Sequence, residues 1–349
     1  MLTIIWAAVS SLLKASRETE ITMSARPSTA PIELALIGAQ SQLVVEGLQK
    51  RFILHDVFAE ADPFAALANV GGGVRGAVGN GMSGLTRRHI ELMPKLEICA
   101  IHGVGLETSD LPAIRERGIV LTTTPVLFDD VADLAIALAL GCCRQIARAD
   151  RFVRAKQWGS ERLPFGRKLS GMRVGVLGLG RIGIEVARRL EGFKCQIGYA
   201  DPLQRDVPYQ RFETARALAE NSDVLFLCAA GGPKGSPPLV GREVFEALGP
   251  RGIFVNISRG WLVDEPALIV ALRSGSLGAA GLDVFFDEPL VPDALLALDN
   301  VVLTPHIASA TEETMDAMGR CVIDNLTSWF DGKGALTAVT QVLFKSTAP

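Results

Sequence analysis

Arg259, Glu288 and His306 are ionisable residues of three types, and each follows a short apolar run typical of a strand. The three runs are Ile253–Ile257, Ala279–Leu282 and Val301–Leu303. In an open parallel sheet ligands bind beyond the carboxyl ends of the strands. We therefore expect one arginine, one carboxylate and one histidine to converge on the same rim.

These side chains suit the reduction of a 2-keto acid. Hydride addition to a keto carbon creates an alkoxide that needs a proton, and the imidazolium of His306 is a good donor near neutral pH. Glu288 would stabilise the charged imidazole, and Arg259 would hold the substrate carboxylate and polarise the carbonyl. Each residue alone has a structural alternative, as a helix-end arginine, a solvated loop acid or a loop histidine. Their coincidence at one rim favours catalysis.

A glycine-rich turn is the second motif that indicates chemistry. The strand-like run Arg173–Leu177 leads into Gly178-Leu-Gly-Arg-Ile-Gly183 and then into a helical segment. Gly178 permits a tight turn, Gly180 lets the backbone approach a pyrophosphate, and Gly183 lets the helix pack closely on the strand. This order of strand, glycines and helix predicts a dinucleotide-binding loop.

Residues beyond these glycines complete the predicted dinucleotide site. Arg181 and Ile182 open the helix, whose free amides and dipole favour phosphate. Asp201 follows the next strand-like run, where an acid accepts hydrogen bonds from the adenosine ribose and repels a 2′-phosphate. This favours NAD(H), although Asp201 could simply begin a turn. Arg205 could still receive a phosphate, so NADP(H) stays possible.

The whole chain alternates strands and helices. Its 349 residues exceed the usual size of one hydrophobic core, so two domains are expected. Strand-like runs of the first region are Ile32–Gly38, Phe52–Val57, Arg75–Val78, Leu96–Ile101 and Ile119–Thr122. Those of the second are Arg173–Leu177, Gln196–Ala200, Val224–Cys228, Ile253–Ile257, Ala279–Leu282 and Val301–Leu303. We predict an α/β protein with a Rossmann-type doubly wound parallel sheet of six strands and a smaller flavodoxin-like α/β domain.

Three further segments have a distinct character. Val131–Cys143 is almost wholly apolar and is expected to form a buried helix. Ala149–Gly171 carries Trp158 in a polar context and indicates an exposed arm. Glu312–Phe330 is expected to form a C-terminal helix.

Composition excludes several classes of function. The net charge is −3 without a long basic run, which argues against nucleic acid and anionic membrane surfaces as partners. No uncharged apolar stretch reaches the ~18 residues that span a bilayer. The six cysteines form no CxxC pair, so we expect free thiols in a reducing cytoplasm and no metal site. Met1–Leu13 is mildly apolar but lacks the basic region of a targeting signal, so we expect residues 1–30 to be a disordered extension, with Met23 as an alternative start.

Three strings around the rim residues resemble family signatures. Asn256–Glu265, Gly281–Pro289 and Leu303–Thr311 are similar to the arginine, carboxylate and histidine signatures of the D-isomer-specific 2-hydroxyacid dehydrogenases. With the glycine loop, the likeness runs from about Leu92 to Gly334. The chain most resembles the branch of hydroxypyruvate/glyoxylate reductases and plant-type hydroxyphenylpyruvate reductases. This resemblance implies an NAD(P)-dependent oxidoreductase that interconverts a 2-keto acid and its D-2-hydroxy acid.

The resemblance also implies contacts and assembly. Asp283 would hold the nicotinamide carboxamide, and the backbone amides of Val104 and Gly105 would hold the substrate carboxylate. The family is usually dimeric, which implies a homodimer with Trp158 in the arm that crosses to the partner. Residues 31–125 and 312–340 would form the substrate domain and residues 126–311 the NAD(P)-binding domain. Closure of the cleft between them would exclude water.

The sequence departs from the family pattern at a few positions. Phe128 replaces a polar residue, Glu107 stands where an aspartate is common, and His102 stands where an aromatic or small polar residue is usual. Asp201 occupies the strand end where many close relatives carry a basic residue that accepts NADP. These departures bear on substrate and cofactor preference and leave the reaction class unaffected.

Other functions remain open on sequence grounds. A phosphoglycerate-type dehydrogenase is disfavoured because no regulatory extension or phosphate cluster is evident. Formate dehydrogenases share the scaffold but use an amide where Glu288 stands. A dinucleotide-sensing binding protein could keep all three rim residues, and turnover with keto acids would distinguish it from an enzyme.

Overall fold

The computed structural model describes residues 31–126, 128–230 and 234–339. The predicted N-terminal extension lies outside this range. Two parallel sheets organise the described residues, one built from the first region and the other from the second. This arrangement confirms the predicted α/β fold class.

The first sheet has five parallel strands in the order β2-β1-β3-β4-β5. The strands are β1 Glu33–Leu36, β2 Ile53–Asp56, β3 Val74–Asn80, β4 Ile98–His102 and β5 Val120–Thr122. The helices between them are α1 Gln42–Gln49, α2 Pro63–Val70, α3 Arg87–Leu92 and α4 Leu111–Glu116. Its strand order is that of flavodoxin-like sheets, as predicted. Apolar clusters cover both faces, because a parallel sheet needs helices on each side.

The second sheet has seven parallel strands in the order β12-β11-β10-β9-β6-β7-β8. They are β6 Arg173–Leu177, β7 Gln196–Ala200, β8 Gln210–Arg211, β9 Val224–Leu227, β10 Ile253–Asn256, β11 Ala279–Leu282 and β12 Val301–Leu303. Counted from the edge strand β8, the first six strands are β8-β7-β6-β9-β10-β11, which is the order of a doubly wound sheet. The prediction of six strands was wrong by one, because the edge strand β8 is only two residues long and shows no alternating pattern.

Eight helices of the second half, in the part of the chain that the structure describes, complete the fold. They are α5 Asp129–Arg144, α6 Ile146–Arg154, α7 Arg181–Gly192, α8 Ala215–Glu220, α9 Arg242–Leu248, α10 Glu265–Ser274, α11 Asp293–Leu296 and α12 Glu312–Phe330. Most apolar residues of α5 are buried, as predicted for its apolar run. The predicted exposed arm begins later than expected, because α6 continues to Arg154 and buries Phe152. Trp158 beyond it is 75% exposed.

The C-terminal helix α12 returns to the first sheet and packs against α1 and β4. Asn325 on α12 is fully buried, and its Oδ1 accepts hydrogen bonds from the amides of Leu336 and Thr337 at 2.9 Å each. The hydroxyl of Thr337 in turn donates to the carbonyl of Thr123. These bonds tie the end of the described chain to the segment that leaves β5 for α5.

The described helices include none with the length and apolar character needed to cross a membrane. All six cysteines are free, and Cys99, Cys142 and Cys143 are buried.

Candidate active site

The three rim residues follow three neighbouring strands of the second sheet. Arg259 lies after β10, Glu288 after β11 and His306 after β12, at the carboxyl edge of the sheet. Nδ1 of His306 lies 2.7 Å from Oε2 of Glu288. Arg259 is close enough for its charge to lower the pKa of His306. The structure therefore brings the three residues to one rim, although their catalytic roles stay predictions.

The Glu288–His306 pair sets the proton chemistry of the rim. The hydrogen bond that Glu288 accepts and its negative charge raise the pKa of His306 above its ordinary value, against the opposing effects of burial and of Arg259. Burial alone would raise the pKa of Glu288, but the bonds from His306 and from the Phe285 amide, with the nearby positive charges, lower it overall. Because the ionised carboxylate only accepts hydrogen bonds, Nδ1 carries the proton and Nε2 is the atom free to exchange one.

The backbone of His306 adopts an uncommon conformation. Its φ is +53°, in the left-handed region that non-glycine residues rarely occupy. Asp283 holds this turn, because its carbonyl accepts the His306 amide and its carboxylate accepts three hydrogen bonds. The three donors are the Thr304 hydroxyl at 2.6 Å and the amides of Ile307 and Ala308 at 2.9 Å each. Asp283 is fully buried, so it fixes the loop that presents the histidine.

Arg259 reaches from the second sheet to the loop after β4. Its Nε donates to Oε1 of Glu107 at 2.9 Å, and its Nη1 donates to the carbonyl of Ser258 at 2.7 Å. Nη2 lies beside Gly105, 2.9 Å from the point where a Cβ at that position would stand. The guanidinium therefore spans the cleft between the two sheets.

The loop after β4 offers backbone donors to an anion. Gly103 has φ +134°, and its amide and carbonyl bond with the hydroxyl and amide of Thr124. Among hydrogen bonds between described residues, neither the amide of Val104 nor that of Gly105 is a donor. Two unengaged amides beside a guanidinium suit a carboxylate. This geometry fits the predicted substrate contacts of Val104 and Gly105.

The glycine loop fits a dinucleotide pyrophosphate. Gly178 has φ +92°, and a Cβ at Gly183 would stand 2.2 Å from the carbonyl oxygen of Gly178. A Cβ at Gly180 would meet nothing within 4 Å, so open space lies over the loop. No side chain caps the N-terminus of α7, whose first residues are Arg181 and Ile182. The free amides of this twelve-residue helix face that space and could hold phosphate.

Asp201 is turned toward the protein. Its Oδ2 accepts the amide of Leu179 at 2.9 Å, and its Oδ1 accepts the amide of Leu203 at 2.9 Å and Nη2 of Arg205 at 3.3 Å. The side chain is only 8% exposed. Arg211 on β8 adds a second guanidinium, which donates to the carbonyl of Asp201 at 3.3 Å. The site where an adenosine ribose would lie thus carries one buried acid and two arginines.

Several residues of the rim escaped the sequence analysis. Glu107 was noted only as a departure, and its contact with Arg259 joins residues 152 positions apart. Thr304, which bonds Asp283, sits in the histidine signature but gave no separate signal. The guanidinium of Arg181 lies 4.8 Å from the ring centroid of Phe128, a contact that also depends on the folded chain. Arg211 escaped because its strand was not predicted.

A doubly wound sheet with a glycine loop, a second parallel sheet and a histidine–carboxylate pair at the rim is the arrangement expected of a nicotinamide-dependent dehydrogenase. Residues 136–308 match the family described as "D-isomer specific 2-hydroxyacid dehydrogenase, NAD binding domain". Hydroxyphenylpyruvate reductase from Plectranthus scutellarioides is 42% identical over 310 residues, which cover 88% of this chain and 99% of the relative.

Two solved structures resemble the whole fold. A 2-hydroxyacid dehydrogenase from Ketogulonicigenium vulgare Y25 is 46% identical, with a TM-score of 0.83 and coverage of 89% of this chain and 99% of that one. An NADPH-dependent glyoxylate/hydroxypyruvate reductase from Sinorhizobium meliloti, solved with NADP and malonate, is 37% identical, with a TM-score of 0.79 and coverage of 89% and 97%.

The chain belongs to the D-isomer specific 2-hydroxyacid dehydrogenase family. It is an NAD(P)-dependent oxidoreductase that acts on the CH–OH group of 2-hydroxy acids and reduces the corresponding keto acids.

Proposed function

We propose that this enzyme reduces a small 2-keto acid of the hydroxypyruvate or glyoxylate type to its D-2-hydroxy acid. The observation that carries this proposal is the 2.7 Å contact between His306 and Glu288 on the rim that Arg259 shares. The likeness to a glyoxylate/hydroxypyruvate reductase and to a hydroxyphenylpyruvate reductase supports the choice of substrate class.

In the proposed mechanism His306 supplies the proton. The substrate carboxylate lies on the amides of Val104 and Gly105 and against the guanidinium of Arg259, which also polarises the keto oxygen. A reduced nicotinamide held at this rim would supply the hydride for the keto carbon. His306 gives the Nε2 proton to the resulting oxygen, and Glu288 keeps the ring oriented and charged until that transfer. Oxidation of the hydroxy acid runs through the same atoms in reverse.

We also propose how the dinucleotide is held. The amides of Arg181 and Ile182 and the space over Gly180 would take the pyrophosphate. Asp283 would hold the nicotinamide carboxamide through its fourth acceptor site, since three are used within the protein. Because its side chain is fully buried, this contact requires the loop of His306 to move when the dinucleotide binds. Asp201 favours NAD(H), because it stands at the strand end where an acid accepts hydrogen bonds from the ribose hydroxyls and repels a 2′-phosphate. Its pairing with Arg205 opposes that repulsion. A higher kcat/KM with NADPH than with NADH would contradict this preference.

The positions of the strands support a division of the chain into two domains. We propose that residues 31–125 with 312–340 form the substrate domain and that residues 126–311 form the NAD(P)-binding domain. The packing of α12 on α1 and β4 supports the assignment of the last helix to the first unit. Substrate binding would then close the cleft that Arg259 spans and exclude water from the hydride path.

A homodimer is proposed from the arm after α6. Trp158 is 75% exposed and Phe165 is fully exposed, so this arm offers two large aromatic side chains to a partner. A 320 Å³ cavity beside Phe165, lined also by Cys142 and Arg167, gives that surface a concave site for a partner's side chain. Light scattering should give twice the mass of the chain, and Trp158→Ala with Phe165→Ala should weaken the dimer. We further propose a cytoplasmic location, which suits six free thiols and is testable by fractionation of cells.

The substrate proposal is tested by oxidation of NADH and NADPH with glyoxylate, hydroxypyruvate, pyruvate and 4-hydroxyphenylpyruvate. We expect the highest kcat/KM with hydroxypyruvate or glyoxylate. A clear preference for 4-hydroxyphenylpyruvate would reassign the substrate class, and no turnover with any of the four, alongside measurable dinucleotide binding, would contradict the proposal.

A further inference from the structure

We propose that Glu107 is a positioning residue for the substrate carboxylate and that it acts through Arg259. This inference rests on the proposed function, in which Arg259 anchors the substrate. Glu107 comes from the loop between β4 and α4, whereas Arg259 comes from the end of β10 in the other sheet. Their contact therefore fixes a guanidinium of one sheet relative to the anion-binding loop of the other.

The guanidinium is held along one edge and open along another. Glu107 takes Nε at 2.9 Å, and the carbonyl of Ser258 takes Nη1 at 2.7 Å. These two acceptors leave Nη2 directed at Gly105. A planar guanidinium with two of its nitrogens fixed has one orientation, and in this orientation Nη2 lies beside Gly105.

Gly105 is the residue that allows this arrangement. A Cβ there would stand 2.4 Å from Oε2 of Glu107 and 2.9 Å from Nη2 of Arg259. Both side chains therefore pack against the bare backbone of the loop that would receive the substrate. The side chains of Arg259 and Glu107 are 24% and 30% exposed, so the pair is partly shielded from solvent.

This geometry gives Glu107 a function distinct from that of a surface ion pair. An exposed pair holds its side chains weakly, because solvent screens the charges and both chains keep their freedom. Glu107 instead binds Nε, the nitrogen that a substrate carboxylate approaching Nη2 does not need. Substrate and Glu107 can thus engage Arg259 together, and Glu107 prepares the guanidinium before the substrate arrives.

The test compares Glu107→Ala and Glu107→Gln with a matched control. Glu107→Gln keeps an oxygen that can accept from Nε, so the amide should rescue much of the loss. Glu116→Gln serves as the control. Glu116 lies on α4, which follows the loop of Glu107, and it pairs with the exposed Arg87 at 3.1 Å. We expect Glu107→Ala to lower kcat/KM for the keto acid by about 10²-fold through misplacement of the anchor. NADH affinity and the melting temperature should stay near those of the unmodified enzyme.

A double-mutant cycle shows whether Glu107 acts through Arg259. The readout is the dissociation constant of oxalate for the NADH complex, which needs no turnover. Glu107→Ala should weaken oxalate binding in the native background and have no further effect in Arg259→Ala. An equal effect in both backgrounds, or no effect in the native one, would overturn the inference. If Arg259→Ala alone left oxalate binding and turnover intact, Arg259 would not be the substrate anchor and the proposed function would be contradicted. That result differs from one in which Arg259 is the anchor and only the role of Glu107 is wrong.

Discussion

Nδ1 of His306 lies 2.7 Å from one carboxylate oxygen of Glu288, while the other oxygen accepts the amide of Phe285 at 2.9 Å. The backbone amide thereby orients the carboxylate, and the carboxylate in turn orients the imidazole. The ring's Nε2 edge is left for a substrate, and the histidine side chain is 46% exposed. The proposed proton donor is thus also accessible to a substrate.

Glu288→Gln should move the pH dependence of keto acid reduction toward acid. Reduction needs protonated His306, so its rate is high below the pKa of His306 and falls as pH rises through it. The hydrogen bond that His306 donates to Glu288 is the main cause that raises this pKa above its ordinary value, and loss of the bond lowers the pKa. The measurement is kcat/KM against pH, in which the descending limb should shift to lower pH.

The control for this shift is Glu265→Gln. Glu265 also accepts a backbone amide at the same rim, from Phe286 at 3.2 Å, and makes no hydrogen bond to the histidine ring within the described residues. Its pH profile should match that of the native enzyme. An unmoved profile in Glu288→Gln would mean that another group sets the titration.

His306→Asn should abolish most turnover without loss of cofactor. Removal of a general acid costs about 10²–10⁴-fold in rate. The dinucleotide contacts proposed for the glycine loop do not involve the imidazole, so the dissociation constant of NADH should change little. Fluorescence titration and steady-state kinetics check the two quantities, and native turnover in this variant would remove His306 from the mechanism.

Asp283→Ala should destabilise the protein and misplace His306. The change leaves the Thr304 hydroxyl and the amides of Ile307 and Ala308 without their acceptor, at about 1–3 kcal/mol for each buried group left unpaired. Chemical denaturation should show this loss, and kcat should fall because the φ of +53° at His306 is no longer enforced. The neighbouring Asp287→Ala, at an exposed ion pair with Lys234, should change stability by less than about 0.5 kcal/mol.

Much of the fold was predictable because its strands are short, apolar and separated by helices. Arg173–Leu177, Gln196–Ala200, Ala279–Leu282 and Val301–Leu303 were predicted with the bounds that the structure gives. β8 was missed because a two-residue edge strand has no periodicity. Within the site, position along the chain placed His306 and Glu288 at one edge. The contact of Glu107 with Arg259 could not be predicted, because it depends on how two separately folded sheets face each other.

Gly180→Ala should impair NADH binding, whereas Gly183→Ala should impair the stability of the fold. A methyl group at Gly180 enters open space, so the protein should fold normally but bind NADH more weakly because the phosphates need that space. At Gly183 the methyl meets the Gly178 carbonyl at 2.2 Å, which should cost about 1–3 kcal/mol of stability. Melting curves and NADH titrations separate the two effects. An equal decrease in melting temperature in the two variants would contradict the roles assigned to Gly180 and Gly183.

The central claim is direct hydride transfer to the 2-keto carbon with formation of the D product. It is tested most directly by reducing hydroxypyruvate with NADH that carries deuterium at both C4 positions, and by analysing the chirality and isotope content of the glycerate. We predict D-glycerate with one deuterium at C2. L-glycerate, or D-glycerate without deuterium at C2, would contradict the account.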